Sequence, residues 1–359
     1  TVEELGNAEI IIEAVYENLE IKKNVFMKLG NLISKETILA SNTSTLDINS
    51  IAEVTSYPEN LLGMHFFSPA NIMRLIEIVK GKKTNEETIH RAVEFARQLK
   101  KVPVVVGVCD GFVGNRMHLV RSANVERMLQ EGVLPEEIDR VALNFGFAMG
   151  PCATSDLAGL DVAWRIRQSK SITFPVADAL VDNGRLGQKT LAGYYLYEKG
   201  SRKPKSDPAV ADMIKKISGE LGIKTKKISD SEILNRLIFP LINEGARILE
   251  EKIAESTSDI DVIWINGYGW PAWRGGPMYY ANQLGLDRIY SELNQLAQQL
   301  SDETLLPANS LKKLAKLSET RGKDSSGLAL IDKSQSKVDV IKGSFPITEL
   351  LDDPVYLDK

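Results

Sequence analysis

The chain has 359 residues, 43% hydrophobic and 26% charged, an ordinary globular balance long enough for two or three domains. Its 44 Lys and Arg against 48 Asp and Glu give a net charge of −4 with no long like-charge block, which argues against a nucleic-acid partner. No apolar run reaches the roughly 18 residues of a membrane span, and two cysteines with three histidines leave little for a disulfide framework or a metal centre.

The first residues, "TVEELGNAEIIIEAVYEN", carry no initiator Met and no signal-like core, so the chain reads as starting inside a domain. "EIIIEAV" (9–15) is the continuous apolar run of a strand buried on both faces. Leu19, Val25, Phe26, Leu29 and Ile33 recur at helical spacing and predict a helix over 18–33. "TILAS" (37–41), "LLGMHFF" (61–67) and "LIEIVKG" (75–81) read as strands. An amphipathic helix follows over 84–101, with Thr84 and Glu87 as its capping box, and then a strand, "VPVVVGV" (102–108). This alternation predicts an α/β domain over 1–108 built on a mostly parallel, doubly wound sheet.

At "DGFVGNR" (110–116) helical periodicity takes over, and the remainder aligns with itself. "GFVGNRMHLVRSANVERMLQEG" (111–132) matches "SEILNRLIFPLINEGARILEEK" (231–252), placing Asn115 and Arg116 on Asn235 and Arg236. "EIDRVALNFGFAMGP" (137–151) likewise matches "DIDVIWINGYGWPAWRGGP" (259–277). The expected organisation is a duplicated α-helical region, copies at 109–206 and 229–300, packed on each other. The Gly/Pro/Lys-rich stretch 189–208 reads as a linker. Residues 301–359 form a variable tail in which "SETRGKDSSG" (318–327) reads as flexible. "GYGWPA" (267–272) formally fits a dinucleotide fingerprint, but Pro271 stands where helix N–H groups should face a pyrophosphate, so a tight turn after a helix is favoured.

Ligands of a doubly wound sheet bind beyond the carboxyl ends of its strands. There the sequence places a hydroxyl- and amide-rich loop, Ser41 to Thr45, and one histidine, His65. Glu77 interrupts the apolar strand "LIEIV", where a carboxylate is costly unless paired. A neighbouring strand could bring it to the imidazole, giving a base and its orienting carboxylate. Bland alternatives stand beside each: His65 as a satisfied core residue, Ser44 as the cap of a helix near Asp47, Asn115 as a packing amide. His90 and His118 fall in charged, helix-like contexts and read as surface residues.

The motifs "EAVYEN", "ASNTSTL", "GMHFFSP", "RLIEIV", "GFVGNR", "GFAMGP" and "SDLAGLD" together resemble the L-3-hydroxyacyl-CoA dehydrogenases, in particular the peroxisomal bifunctional (multifunctional type 1) branch, over roughly residues 1–300. That resemblance implies a Rossmann-type NAD-binding domain followed by a duplicated helical 3-hydroxyacyl-CoA dehydrogenase C-terminal domain. It implies oxidation of L-3-hydroxyacyl-CoA to 3-oxoacyl-CoA in fatty-acid β-oxidation. By the same resemblance His65 is the base, Glu77 its partner, and Ser44 and Asn115 hold the substrate oxygen. Glu17, Lys22, Asn42 and Ser44 meet the nicotinamide and ribose of NAD. Acyl-CoA is the implied substrate, and the duplication suits a monomer.

Departures accompany the matches. Ser68 stands where single-function members carry Asn, and "KTLAG" (189–193) lacks the usual Gly-Lys-Gly. The final residues "YLDK" are not an S-K-L address, so a peroxisomal location rests on the family, with cytoplasm or mitochondrion as alternatives. The family's first strand and glycine-rich turn, with the residue that separates NAD from NADP, have no counterpart before Thr1. The Rossmann sheet is therefore expected to be incomplete and the chain a fragment of a longer enzyme. The competing reading is a non-catalytic remnant serving as a packing or dimerisation module. A 6-phosphogluconate-type dehydrogenase would need a catalytic Lys where "GFVGNR" offers Asn115 and Arg116.

Overall fold

The computed structural model describes residues 2–30 and 32–311, together with strands Ser326–Asp332 and Lys337–Gly343. Its contacts divide the chain into Thr1–Tyr280 and Ala281–Lys359. The first unit opens with β1 (Ile10–Glu13), α1 (Leu19–Gly30), β2 (Ile38–Ser41), α2 (Ile48–Ala52), β3 (Leu61–Phe66), β4 (Leu75–Lys80), α3 (Glu86–Gln98) and β5 (Val102–Gly107). These strands form one sheet in the order β1-β2-β3-β4-β5. Its α3 face is apolar, and the opposite face buries Leu39, Leu61, Leu75 and Val79 beside His65 and Glu77. Ile38, Ala40, Leu62, Met64, Ile76 and Ile78 are fully buried with Ala92 and Ala96 of α3, the environment that continuous Val/Ile/Leu runs require.

Three of the four strand pairings are parallel, as the alternation predicted; β3 and β4 pair antiparallel. Only residues 67–74 separate them, too few for the crossover of a dozen or more residues that a parallel return needs. This reversal sets His65 directly opposite Glu77 in the ladder. The cap of α3 also differs from the expected box. Asn85 accepts the Thr88 N–H at 2.7 Å, while the Thr84 hydroxyl donates to the Leu61 carbonyl at 2.6 Å. Thr84 thus fastens the helix to β3, and the cap moves on by one residue.

The helical part comprises α4 (Phe112–Gln130), α5 (Pro135–Phe145), α6 (Pro151–Ala158), α7 (Leu160–Ser169), α8 (Pro175–Asp182), α9 (Pro208–Glu220), α10 (Asp230–Glu250), α11 (Thr257–Gly267) and α12 (Pro277–Leu284). The two long helices, α4 and α10, pack on each other. Their ion pairs are exchanged across the contact. Arg116 grips Glu251 through two bonds of 2.6 and 2.8 Å, and Arg236, in the aligned position, reaches Glu131 at 2.8 Å. A contact in which residue i meets j and the equivalent of j meets the equivalent of i is the signature of a two-fold interface. The aligned aspartates repeat a second device. Asp139 accepts from the Cys152 and Ala153 N–H groups, each at 2.9 Å, and Asp261 from Met278 and Tyr279 at 2.7 and 3.1 Å. Each carboxylate thereby takes up orphan donors of a helix that begins with proline.

Burial pushes the Asp261 carboxyl up to about 6 against the lowering effect of those two N–H groups. A carboxyl raised in the folded state adds stability below its unfolded value near 4, and that contribution is lost as pH rises through 6. Raising pH from about 5 to about 7.5 is therefore expected to cost roughly 1–2 kcal/mol through this residue. Urea unfolding at both pH values, in wild type and Asp261→Asn, checks it; the variant should show a smaller loss.

Within the stretch read as a linker, residues 193–197 are largely packed, whereas 198–208 are mostly exposed. Tyr194, Tyr195 and Tyr197 are buried. Asp156 accepts the Tyr194 and Tyr195 N–H groups and the Tyr197 hydroxyl, and the Tyr195 hydroxyl donates to Asp139. Its Gly and Lys content suggested solvent exposure, but three buried tyrosines, two of them with paired hydroxyls, anchor its first part. "GYGWPA" is a turn after α11, as expected, with Gly269 at φ 69° and a 3-10 turn over Ala272–Arg274. Among the described residues no helix is long and apolar enough to cross a membrane.

In the second unit, α13 (Leu286–Leu300) buries Leu296 and Ala297 with Leu305. β6 (Ser326–Asp332) and β7 (Lys337–Gly343) pair antiparallel, two strands that the sequence reading of the tail did not anticipate. Most of the 318–327 stretch expected to be flexible lies outside the described residues.

Candidate active site

Where β3 and β4 meet the start of α4, His65 Nδ1 lies 2.7 Å from Glu77 Oε2. His65 is 6% exposed and Glu77 fully buried. The other carboxylate oxygen, Oε1, accepts the backbone N–H of Gly114 at 3.0 Å, one of the orphan donors in the first turn of α4. Glu77 therefore holds an imidazole on one side and a positive helix end on the other. A carboxylate only accepts, so Nδ1 donates and Nε2 is left as the basic nitrogen. Phe67 and Phe112 flank the ring, at centroid distances of 4.5 and 5.9 Å.

A second cluster sits at the carboxyl ends of β1 and β2. Glu17 Oε1 accepts the Thr43 hydroxyl at 2.5 Å and the Ser44 N–H at 3.0 Å, with the Ser44 hydroxyl at 3.5 Å. Burial raises the Glu17 carboxyl, but the Thr43 and Ser44 donors and the Lys22 charge outweigh it and hold it below the usual carboxylate range. Lys22 is itself buried, its Nζ bonded to Glu13 at 2.7 Å and the Val15 carbonyl at 3.2 Å, with Glu17 Oε2 at 3.3 Å. Its donors are spent inside the protein, where they tie Glu17 down. Helix α2 is capped by Asp47, whose side chain accepts the Asn49 N–H, so Ser44 is not needed as a cap.

Asn42 Oδ1 accepts the Phe66 N–H at 2.9 Å, next to His65. Asn115 lines a cavity of about 140 Å³ whose wall also includes Thr45 and whose body is largely apolar: Leu119, Val125, Leu160, Ile166 and Phe174. The structure thus joins His65 to Glu77, and Ser44 to Glu17. No hydrogen bond among the described residues joins Ser44 or Asn115 to His65. Each lies one residue from a linking contact: Asn115 follows Gly114, and Ser44 precedes Thr45.

Two histidine expectations separate here. His90 is exposed. His118 is not a surface residue; it lines the cavity, and burial, with the nearby Arg121 charge, pushes its imidazole down to about 3. The sequence reading also passed over Glu13, Gly114 and Tyr268, and named Thr43 and Thr45 only as members of the hydroxyl-rich loop. Glu13 carries the same signal as Glu77, a carboxylate in an apolar strand, and its Oε2 accepts the Ser41 hydroxyl at 2.7 Å.

Comparison with known proteins gives this geometry its context. Residues 1–109 match the 3-hydroxyacyl-CoA dehydrogenase NAD-binding domain. Residues 111–197 and, separately, 233–329 match the 3-hydroxyacyl-CoA dehydrogenase C-terminal domain. The chain is 41% identical to the peroxisomal bifunctional enzyme of Danio rerio over 334 residues, 88% of this chain and 46% of that protein. It is 41% identical to the human peroxisomal bifunctional enzyme over 335 residues, with the same coverage. It therefore spans about half the length of these curated relatives. A 3-hydroxybutyryl-CoA dehydrogenase from Escherichia coli superposes with a TM-score of 0.76 at 26% identity, covering 89% of this chain and 84% of that one. The dehydrogenase part of multifunctional enzyme 1 from C. elegans superposes with a TM-score of 0.65 at 34% identity, covering 87% and 73%. With both domain types matched over most of its length, this chain belongs to the 3-hydroxyacyl-CoA dehydrogenase family.

Proposed function

We propose that the protein oxidises L-3-hydroxyacyl-CoA to 3-oxoacyl-CoA with NAD, in fatty-acid β-oxidation, as part of a multifunctional enzyme. The observation that carries the reading is the buried His65–Glu77 pair at 2.7 Å, with Nε2 left basic. His65 takes the proton of the C3 hydroxyl through Nε2, and Glu77 balances the imidazolium that forms. Asn115 and Ser44 hold the oxygen as it becomes a carbonyl, donors preset where charge develops. Phe67 and Phe112 keep water from the ring. The acyl chain enters the apolar cavity beside Asn115, whose walls suit hydrocarbon.

The residues at the ends of β1 and β2 fit a nicotinamide dinucleotide. Glu17 is exposed, Ser44 and Asn42 are half-buried, and carboxylate, hydroxyl and amide groups are those a ribose and a carboxamide bind. Glu17, Asn42 and Ser44 would contact it, with Lys22 holding Glu17 from behind. When bound, NAD supplies the acceptor for the hydride from substrate C3.

A peroxisomal location belongs to the same proposal. The names of several relatives support it, although fatty acid oxidation complex subunits from bacteria are also similar. Imaging of the tagged protein tests it. A monomeric state is supported by the exchanged ion pairs of α4 and α10, which resemble a two-fold interface within one chain; sedimentation tests it.

For the activity, the full gene product mixed with (S)-3-hydroxybutyryl-CoA and NAD should form NADH. Failure to form NADH, together with failure to bind NAD, would support the competing view of a packing module.

A further inference from the structure

Tyr268 closes α11 in the second helical copy, yet its hydroxyl reaches α4 of the first. There it donates to Asn115 Oδ1 at 2.8 Å. The ring is held on several sides: stacked on Trp264 at 4.8 Å, edge-on to Phe67 at 5.5 Å, and 5.6 Å from His118. α4 makes room for it. A Cβ on Gly114 would come within 2.5 Å of the Tyr268 ring, so only glycine at that position admits the tyrosine. Gly114 is also the residue whose N–H binds Glu77.

The direction of this hydrogen bond is fixed by chemistry. Burial, with the Glu77 charge next, pushes the Tyr268 phenol well above its ordinary value, so it stays neutral and keeps its proton. That proton needs an acceptor, and the Asn115 carbonyl oxygen supplies it. The amide is thereby locked with its NH2 group turned away from Tyr268, and no hydrogen bond among the described residues uses that nitrogen. Asn115 lines the cavity.

We infer that Tyr268 is a positioning residue for the dehydrogenase reaction: through its hydrogen bond to Oδ1 it orients the Asn115 amide so that its NH2 group meets the substrate oxygen. The second copy thus contributes directly to the site built by the first, across a span of 153 residues. This rests on the reading of Asn115 as a ligand of the substrate oxygen.

The test is a double-mutant cycle in the full gene product, assayed with (S)-3-hydroxybutyryl-CoA and NAD. Tyr268→Phe keeps the ring and removes only the hydroxyl. It should lower kcat about tenfold, the scale of a small misplacement of a reacting group, while KM for NAD is unchanged. Combined with Asn115→Ala it should add nothing to the loss caused by Asn115→Ala alone. A purely structural tyrosine would instead give losses that multiply. Wild-type kcat in Tyr268→Phe, or multiplying losses, overturns the inference while leaving Asn115 in place. An Asn115→Ala variant with wild-type kcat removes the underlying reading and the inference with it.

Discussion

Replacing His65 with glutamine should lower kcat for 3-hydroxyacyl-CoA oxidation by about a hundred- to ten-thousandfold, the range a positioned general base contributes. Glutamine is close to histidine in reach and can still hydrogen-bond Glu77 Oε2, but its amide cannot take up a proton. The site should therefore fold and bind NAD as before. Steady-state NADH formation measures the first expectation and NAD titration by fluorescence the second. Near-normal turnover would remove His65 from the chemistry.

Glu77→Gln should cost a comparable amount for a different reason. Glu77 accepts from two donors at once, His65 Nδ1 and the Gly114 N–H. Glutamine offers one acceptor and one NH2 donor, so whichever way it turns, one of the two present hydrogen bonds cannot be kept as it is. If its NH2 group faces the ring, Nδ1 must accept, the proton moves to Nε2, and the base is blocked. The same tautomer reversal in a Ser–His–Asp triad costs about ten-thousandfold in kcat. If the NH2 group faces Gly114, the start of α4 loses its anchor. Because Glu77 is fully buried, stability should also fall by about 1–3 kcal/mol. The kcat ratio and a urea unfolding curve read the two effects separately; turnover within a few-fold of wild type would show that the pair is not coupled.

Much of this architecture is legible in the residues themselves, and what escapes does so for identifiable reasons. Strands β1 to β5 announce themselves because burial on both faces demands unbroken apolar runs. Their directions do not, since such a run reads alike either way; the short 67–74 connection was the signal that β4 must return antiparallel. The His65–Glu77 pair could be anticipated because a carboxylate inside "LIEIV" must find a partner, and the nearest strand bears the only histidine of that region. Glu13 obeys the same rule, and its cation, Lys22, stands three and four residues before Val25 and Phe26 on the apolar face of the helix, a placement the sequence reading did not use.

Other features depend on packing that no local pattern records. His118 has charged neighbours in sequence, yet it faces a cavity wall. Residues 189–208 have the composition of a linker, but Tyr194, Tyr195 and Tyr197 dock on carboxylates that lie far away in sequence. Tyr268 sits in a turn with no periodicity to mark it, and its significance appears only once α4 and α11 are side by side. The self-alignment proved more informative. It placed Arg116 on Arg236 and Asp139 on Asp261, and these residues make corresponding bonds in the structure.

The decisive measurement is kcat for His65→Gln, Glu77→Gln and the doubly substituted enzyme, with NAD affinity monitored in each. If imidazole and carboxylate act as one unit, the double variant will be no slower than His65→Gln alone. If the two losses multiply, the residues work independently, and the proton-abstracting pair at the centre of this account does not exist.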